Sequence, residues 1–253
     1  MKVLIFRRAT IVIFCAVLLF LSVYALNATI LPVSSAFFAA RRKLPIYSVA
    51  TEENKLSISF DAAWGADKTR EIIDILKEYN ANATFFLVGF WVEDFPDEAK
   101  EIANAGFEIG THSTNHPDMV KLSKQEQKLE LETSLKTIEK TTGVSPKLFR
   151  APFGSYNNSL LETAEELGLT TIQWSVDSLD WKGISASEIS NRILSKAQNG
   201  SIILCHNNSK NILQALPLVL DGLKNKGFEV TCVGNLIYHD SFKINRAGVQ
   251  EKI

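Results

Sequence analysis

Phe107-Glu108-Ile109-Gly110-Thr111-His112-Ser113-Thr114-Asn115-His116 carries the most informative pattern in the chain. It begins as a strand-like run and ends in two histidines four positions apart. That spacing brings both imidazoles onto one side of a helical turn, where they can share a metal ion. Taken alone, a His-x-x-x-His pair reads first as two hydrogen-bonded loop histidines. Its place at the C-terminal mouth of a strand is what points to a site, because parallel α/β folds gather their chemistry there.

Working outward, the chain from Lys55 alternates short β-branched or aromatic runs with amphipathic helices. Seven strands are expected, at Lys55 to Asp61, Ala83 to Gly89, Phe107 to His112, Lys147 to Pro152, Thr170 to Asp177, Ser201 to His206 and Phe228 to Val233. Ile72, Leu76 and Tyr79 recur on one helical face, and Pro96 suits the first turn of the next helix. Ser123 with Glu126, and Ser185 with Glu188, have capping-box spacing. Gly106, Gly143, Gly168, Gly200 and Gly227 each stand between a helix and a strand, where a left-handed residue stops the helix. Periodicity alone leaves open whether seven such units form a doubly wound sheet or an incomplete barrel. After the first strand stands Ser59-Phe60-Asp61-Ala62-Ala63-Trp64-Gly65, with no Gly-rich phosphate loop, so a nucleotide fold loses ground.

Of the 253 residues 46% are hydrophobic and 22% charged, enough for one well-filled globular core. Net charge is -1, from 27 basic and 28 acidic residues, which disfavours nucleic acid as a partner. The amino terminus differs from the rest. Residues 1–8 form a short basic tail, and residues 9–40 contain no charged side chain. The run from Ile11 to Leu26 is apolar over a bilayer's length, so an uncleaved signal anchor, one membrane-spanning helix, is expected. A cleavable signal peptide is the competing reading. Arg41-Arg42-Lys43 balances Lys2, Arg7 and Arg8, so flanking charge does not set the orientation. Residues 41–54 then read as a linker, 55–240 as the domain and 241–253 as a tail. Cys15 lies in the expected span, while Cys205 and Cys232 sit in apolar strand-like runs and read as small buried hydrophobes, with a disulfide between them the competing reading.

The last residues of the expected strands are Asp61, His112 with His116, Arg150, Asp177 with Asp180, and His206. Their convergence on one rim outweighs any one of them. Five motifs in this order resemble the polysaccharide deacetylases, the NodB-homology domain of carbohydrate esterase family four. They are Ser59-Phe60-Asp61, His112 to His116, Arg150-Ala151-Pro152-Phe153-Gly154, Asp177-Ser178-Leu179-Asp180-Trp181 and Leu204-Cys205-His206. The resemblance runs from about Lys55 to Val233 and is strongest to the sporulation-associated, membrane-anchored branch. It implies a distorted (β/α)7 barrel that removes N-acetyl groups from amino sugars of a polymer such as peptidoglycan.

The roles it implies are specific. His112 and His116 would bind a divalent metal, Zn²⁺ or alternatively Co²⁺, with Asp61 as general base and His206 as general acid. Arg150 would orient Asp61, and Asp180 would orient His206. Phe153 would offer its backbone N–H to the oxyanion, while Trp181 and Leu204 would wall the acetyl pocket. A domain with this chemistry is expected outside the cytoplasm, held to the cell membrane by the N-terminal helix. One position departs from the pattern, since Ala62 stands where the family has a second, metal-binding aspartate. Solvent, a displaced Asp61 or Asp67 would then complete the site, or no metal binds. The rival expectation is a degenerate glycan-binding or scaffolding module.

Overall fold

The computed structural model describes residues 11–24 and 42–253. Helix α1 (residues 11–24) has exposed apolar side chains throughout, Phe20 and Leu19 among them. Among the described residues no helix is long and apolar enough to cross a membrane. The basic tail at 1–8 and the rest of the expected span, at 9–10 and 25–40, lie outside the described residues.

Lys43–Ile253 form a separate compact unit. In chain order it carries β1 (Ser48–Val49), β2 (Lys55–Ala62), α2 (Thr69–Glu78), β3 (Ala83–Leu87), α3 (Gly89–Asp94), α4 (Pro96–Asn104), β4 (Glu108–Thr111) and α5 (Lys124–Thr142). There follow β5 (Leu148–Phe149), α6 (Asn158–Glu166), β6 (Thr170–Thr171), β7 (Val176–Asp177), α7 (Ala186–Lys196), β8 (Ile202–His206), α8 (Ile212–Asn225), β9 (Glu229–Thr231), α9 (Val233–Leu236), β10 (Phe242–Ile244) and β11 (Val249–Lys252). The local signals hold. Ser123 and Ser185 both close capping boxes, Pro96 sits in the first turn of α4, and the five expected glycines all have positive φ.

The main sheet is parallel, in the order β6-β5-β4-β3-β2-β8-β7, with β9 pairing the first residues of β2. It forms an α/β half-barrel and not a regular (β/α)7 barrel. The expected strand Thr170 to Asp177 is split: β6 pairs with β5 at one edge, β7 with β8 at the other, and no ladder joins them. Between them the Ile172 N–H bonds Phe149, while the Ser175 N–H has moved to Ile202. Gln173, midway, is buried and serves the site described below.

Strand β2 shows how one sequence makes two interiors. Leu56, Ile58, Phe60 and Ala62 pack into the apolar layer under the helices, beside Ile72 and Leu76 of α2. The alternate residues Ser57, Ser59 and Asp61 are buried on the opposite face, so a period of two separates an oily layer from a polar one. Cys205 and Cys232 are free and buried, as the apolar runs around them predict.

The segments expected as linker and tail are structured. β1, β11 and β10 make a small mixed sheet in which β1 runs parallel to β11. Buried Gln250 stitches this sheet to the Tyr238 backbone through both ends of its amide. Gly200 marks where it meets the main sheet: φ is 73°, and a Cβ there would lie 1.7 Å from the Val49 carbonyl oxygen. Gly143 is equally left-handed, with φ 75°, but has nothing within 4 Å of such a Cβ. Gly143→Ala is therefore expected to cost about 1–2 kcal/mol, the left-handed penalty alone. Gly200→Ala is expected to cost clearly more, as urea midpoints of the two variants would show.

Candidate active site

The strand ends deliver their side chains to a groove of about 750 Å³ at the C-terminal rim of the half-barrel. Asp61, His112, His116, Phe153, Trp181, Leu204 and His206 all line it. Arg150 and Asp180 stand behind that wall, with relative exposures of 0% and 1%.

Arg150 follows β5 and points into the polar interior. Its Nη1 donates to Asp61 Oδ1 at 2.7 Å, and its Nη2 donates to Ser59 Oγ at 2.8 Å and to the Gln173 carbonyl at 3.1 Å. The guanidinium lies over the Phe86 ring, 4.1 Å from its centroid. The Arg150 carbonyl, which can only accept, takes a 2.7 Å hydrogen bond from His112 Nδ1. His112 must then be protonated at Nδ1, leaving the Nε2 lone pair near Asp61 Oδ2, at 3.5 Å. One residue thus orients both the carboxylate and the first imidazole.

His116 reaches the groove from a turn in which Ser113 and His116 have φ of 70° and 53°. Its N–H donates to Ser113 Oγ at 3.0 Å. Its ring meets those of His112, Trp64 and Phe153 edge to face, with centroids 4.9, 4.8 and 4.7 Å away. Phe153, at φ 60°, is another non-glycine residue in the left-handed region, and its ring is exposed. Bulky residues take that conformation only where the surroundings impose it.

Across the groove, Asp180 grips His206 twice. Oδ1 accepts from Nδ1 and Oδ2 from the backbone N–H, both at 2.8 Å. The ring therefore presents Nε2 to the groove.

These partners divide the titrating groups. Burial raises the Asp61 carboxyl, but the charges of Arg150, His112 and His206 and the Arg150 hydrogen bond outweigh it, so Asp61 stays below its ordinary range. Burial lowers His206, yet the hydrogen bond and charge of Asp180, with Asp61 and Asp177 behind it, raise it above the ordinary histidine value. Burial keeps His112 low, and burial with the neighbouring His112 takes His116 down to about 4. At neutral pH the two imidazoles of His112 and His116 are neutral and the carboxylate is charged, while His206 is easier to protonate than an ordinary histidine.

Two neutral imidazoles, one with its ring fixed by a carbonyl behind it, suit a divalent ion. The rest of the set is missing. Ala62 is buried in the apolar layer and does not line the groove. Asp67 is exposed and away from the groove, so it is not the third ligand. Arg150 holds one oxygen of Asp61. Among the described residues no three His, Cys, Asp or Glu side chains are grouped to hold a metal. The donors present fit an ion held by two protein nitrogens and completed by solvent.

The motifs do not identify the whole site. Trp64 and Trp174 add aromatic walls, and Asn208, Ser209 and Lys210 follow His206 along the groove. Trp64 adjoins the first motif and carries that signal, whereas Ser59 and Gln173 are visible as Arg150 partners only in three dimensions.

A family model described as polysaccharide deacetylase matches residues 48–172. The chain is 36% identical over 187 residues to a peptidoglycan-N-acetylglucosamine deacetylase of Bacillus cereus, covering 72% of this chain and 68% of that protein. It is also 36% identical over 193 residues to the uncharacterised Bacillus subtilis protein YlxY, covering 76% of this chain but only 60% of that protein. Among solved structures it resembles a wild-type carbohydrate esterase family 4 pseudoenzyme from Bacillus anthracis. There the identity is 33%, the TM-score 0.74, and the match covers 76% of this chain and 68% of that one. A mutant of that pseudoenzyme with restored enzymatic activity matches with the same TM-score.

The Asp180–His206 pair gives a pH signature independent of turnover. A raised histidine pKa contributes stability below the unfolded value of about 6.5, lost as pH rises through the folded value. In Asp180→Asn the depressing effect of burial is opposed only by the charges of Asp61 and Asp177. His206 is expected to titrate above 6.5 in the wild type and lower in the variant, with the wild type's stability advantage shrinking as pH rises. NMR titration of the ring and urea unfolding at several pH values measure both.

Proposed function

The chain belongs to the polysaccharide deacetylase family, and from that premise we propose that it hydrolyses the N-acetyl group of amino sugars in peptidoglycan. One observation carries the proposal: a carboxylate paired with Arg150 and a histidine paired with Asp180 face the same groove. Amide hydrolysis needs such a pair, because water must lose a proton as it attacks and the departing nitrogen must gain one.

Asp61, with Oδ2 free of Arg150, takes the proton from the attacking water as the new C–O bond forms. His206 gives the proton on Nε2 to the sugar nitrogen as the C–N bond breaks, leaving acetate and a free amine. The Phe153 N–H is assigned to the oxyanion, and Trp181 and Leu204 to the acetyl methyl. When bound at His112 and His116, a divalent ion such as Zn²⁺ would polarise the acetyl carbonyl and acidify the water.

We place the domain outside the cytoplasm, tethered to the cell membrane through residues 9–40. The support is the uncharged run there and the location of the glycan. A part in sporulation or envelope maturation rests on the branch resemblance alone.

A second reading has its own observation. Ala62, which by the resemblance stands where the family has a metal-binding aspartate, is fully buried in the apolar layer and offers no ligand. On that reading the groove binds glycan without cleaving it, and the similarity to a pseudoenzyme agrees with it.

Acetate release from N-acetylated peptidoglycan oligosaccharides, with Zn²⁺ or Co²⁺ supplied, separates the two. Hydrolysis predicts release that falls at least ~100-fold in Asp61→Asn and in His206→Ala. A folded wild type that retains the oligosaccharide but frees no acetate supports the silent reading. Ala62→Asp buries a carboxylate in the apolar layer, so it is expected to lower stability by about 1–3 kcal/mol without metal and to recover part of that with Zn²⁺. Thermal melts with and without the ion show the difference.

A further inference from the structure

We propose that Glu130, on α5, is a positioning residue that fixes the loop between His112 and His116 and thereby sets the spacing of the two imidazoles. The loop needs such a device. It leaves the sheet after Thr111 and turns through two left-handed non-glycine residues, a path the backbone does not hold unaided. Glu130 supplies four contacts to two consecutive loop residues. Its Oε2 accepts from the backbone N–H of both Thr114 and Asn115 at 2.9 Å. Oε1 accepts from Asn115 Nδ2 at 2.7 Å, and the Glu130 carbonyl accepts from Thr114 Oγ1 at 2.6 Å.

The opposite side of the loop is held as well. At the start of α3 the N–H groups of Gly89 and Phe90 donate to the carbonyls of Ser113 and Thr114 at 2.9 and 3.1 Å. A Cβ on Gly89 would sit 3.0 Å from Thr114 Cα, so the loop is seated directly against that helix. Carboxylate on one side and helix N-terminus on the other leave the loop one path, and His116 is its last residue.

The chemistry of position 130 is specific. No salt bridge engages Glu130 among the described residues, and its charge is met by amide N–H dipoles. Hydrogen bonds to an ionised acceptor are the stronger kind. Glutamine has one oxygen where two are used, and its NH2 would face a donor. Aspartate keeps both oxygens but is one methylene shorter.

The proposal rests on His112 and His116 being metal ligands, and the experiment separates failure of that reading from failure of this one. Zn²⁺ is titrated calorimetrically into the full chain carrying Glu130→Gln, Glu130→Asp or, as control, Glu132→Gln, whose carboxylate faces Lys128 on the helix surface. Circular dichroism checks that each variant is folded. The expected result is a Zn²⁺ Kd weakened about tenfold or more in Glu130→Gln, less in Glu130→Asp, and unchanged in the control. Wild-type affinity in both folded Glu130 variants would overturn the proposal. If the wild type itself binds no Zn²⁺, the ligand reading fails, and amide exchange then judges the loop. Fast exchange at Thr114 and Asn115 in the Glu130 variants, with the core still protected, supports the positioning role; unchanged protection overturns it.

Discussion

A guanidinium buried in the polar half of the barrel is the constraint on which the rest depends. Removing such a charge from water costs several kcal/mol unless it is paired and its hydrogen bonds are met. Arg150 meets most of that demand with Asp61, Ser59 and the Gln173 carbonyl, and with the Phe86 face beneath it, leaving only its Nε without a protein acceptor among the described residues. β5 is three places from β2 in the sheet, roughly 14 Å along a flat one. A flat sheet would leave the two side chains apart, so the pair and the curvature require each other. The same demand explains the break between β6 and β7, where Gln173 leaves the ladder and offers its carbonyl to Arg150.

From this constraint follows the separation of protonation states. The guanidinium keeps Asp61 anionic and, through the Arg150 carbonyl, turns the Nε2 of a neutral His112 toward the groove. On the facing wall a buried carboxylate does the reverse, making His206 easier to protonate. Base and acid differ because each has a partner of opposite sign, and those partners, Arg150 and Asp180, are buried and so little screened by water. Ala62 belongs to the other face of β2, the oily one, which explains how a ligand can be missing while the acid–base wall is intact.

Much of the fold was legible because its signals are local. Capping boxes, left-handed glycines and a proline at a helix start act within a few residues, so Ser123, Ser185 and Pro96 could be read directly. The C-terminal rim was legible for a related reason, since parallel strands place their last residues together. What escaped depends on distant pairing. β1 and β11 are two and four residues long and lie about two hundred positions apart, so neither segment announces a sheet. Gln173 and Trp174 look like ordinary strand residues until Arg150 and the groove are placed beside them. Glu130 sits in a charged helical run, Lys128-Leu129-Glu130-Leu131-Glu132, where nothing marks one carboxylate as facing a loop.

The Arg150–Asp61 pair holds fold and site together, and a double-mutant cycle in folding stability measures that coupling. Arg150→Met and Asp61→Asn should each cost roughly 3–5 kcal/mol, because each strands a buried charge. Together they should cost less than the sum by about 2 kcal/mol or more. Costs that add to within about 0.5 kcal/mol would mean that the two groups are stabilised independently and that the pair does not hold the fold.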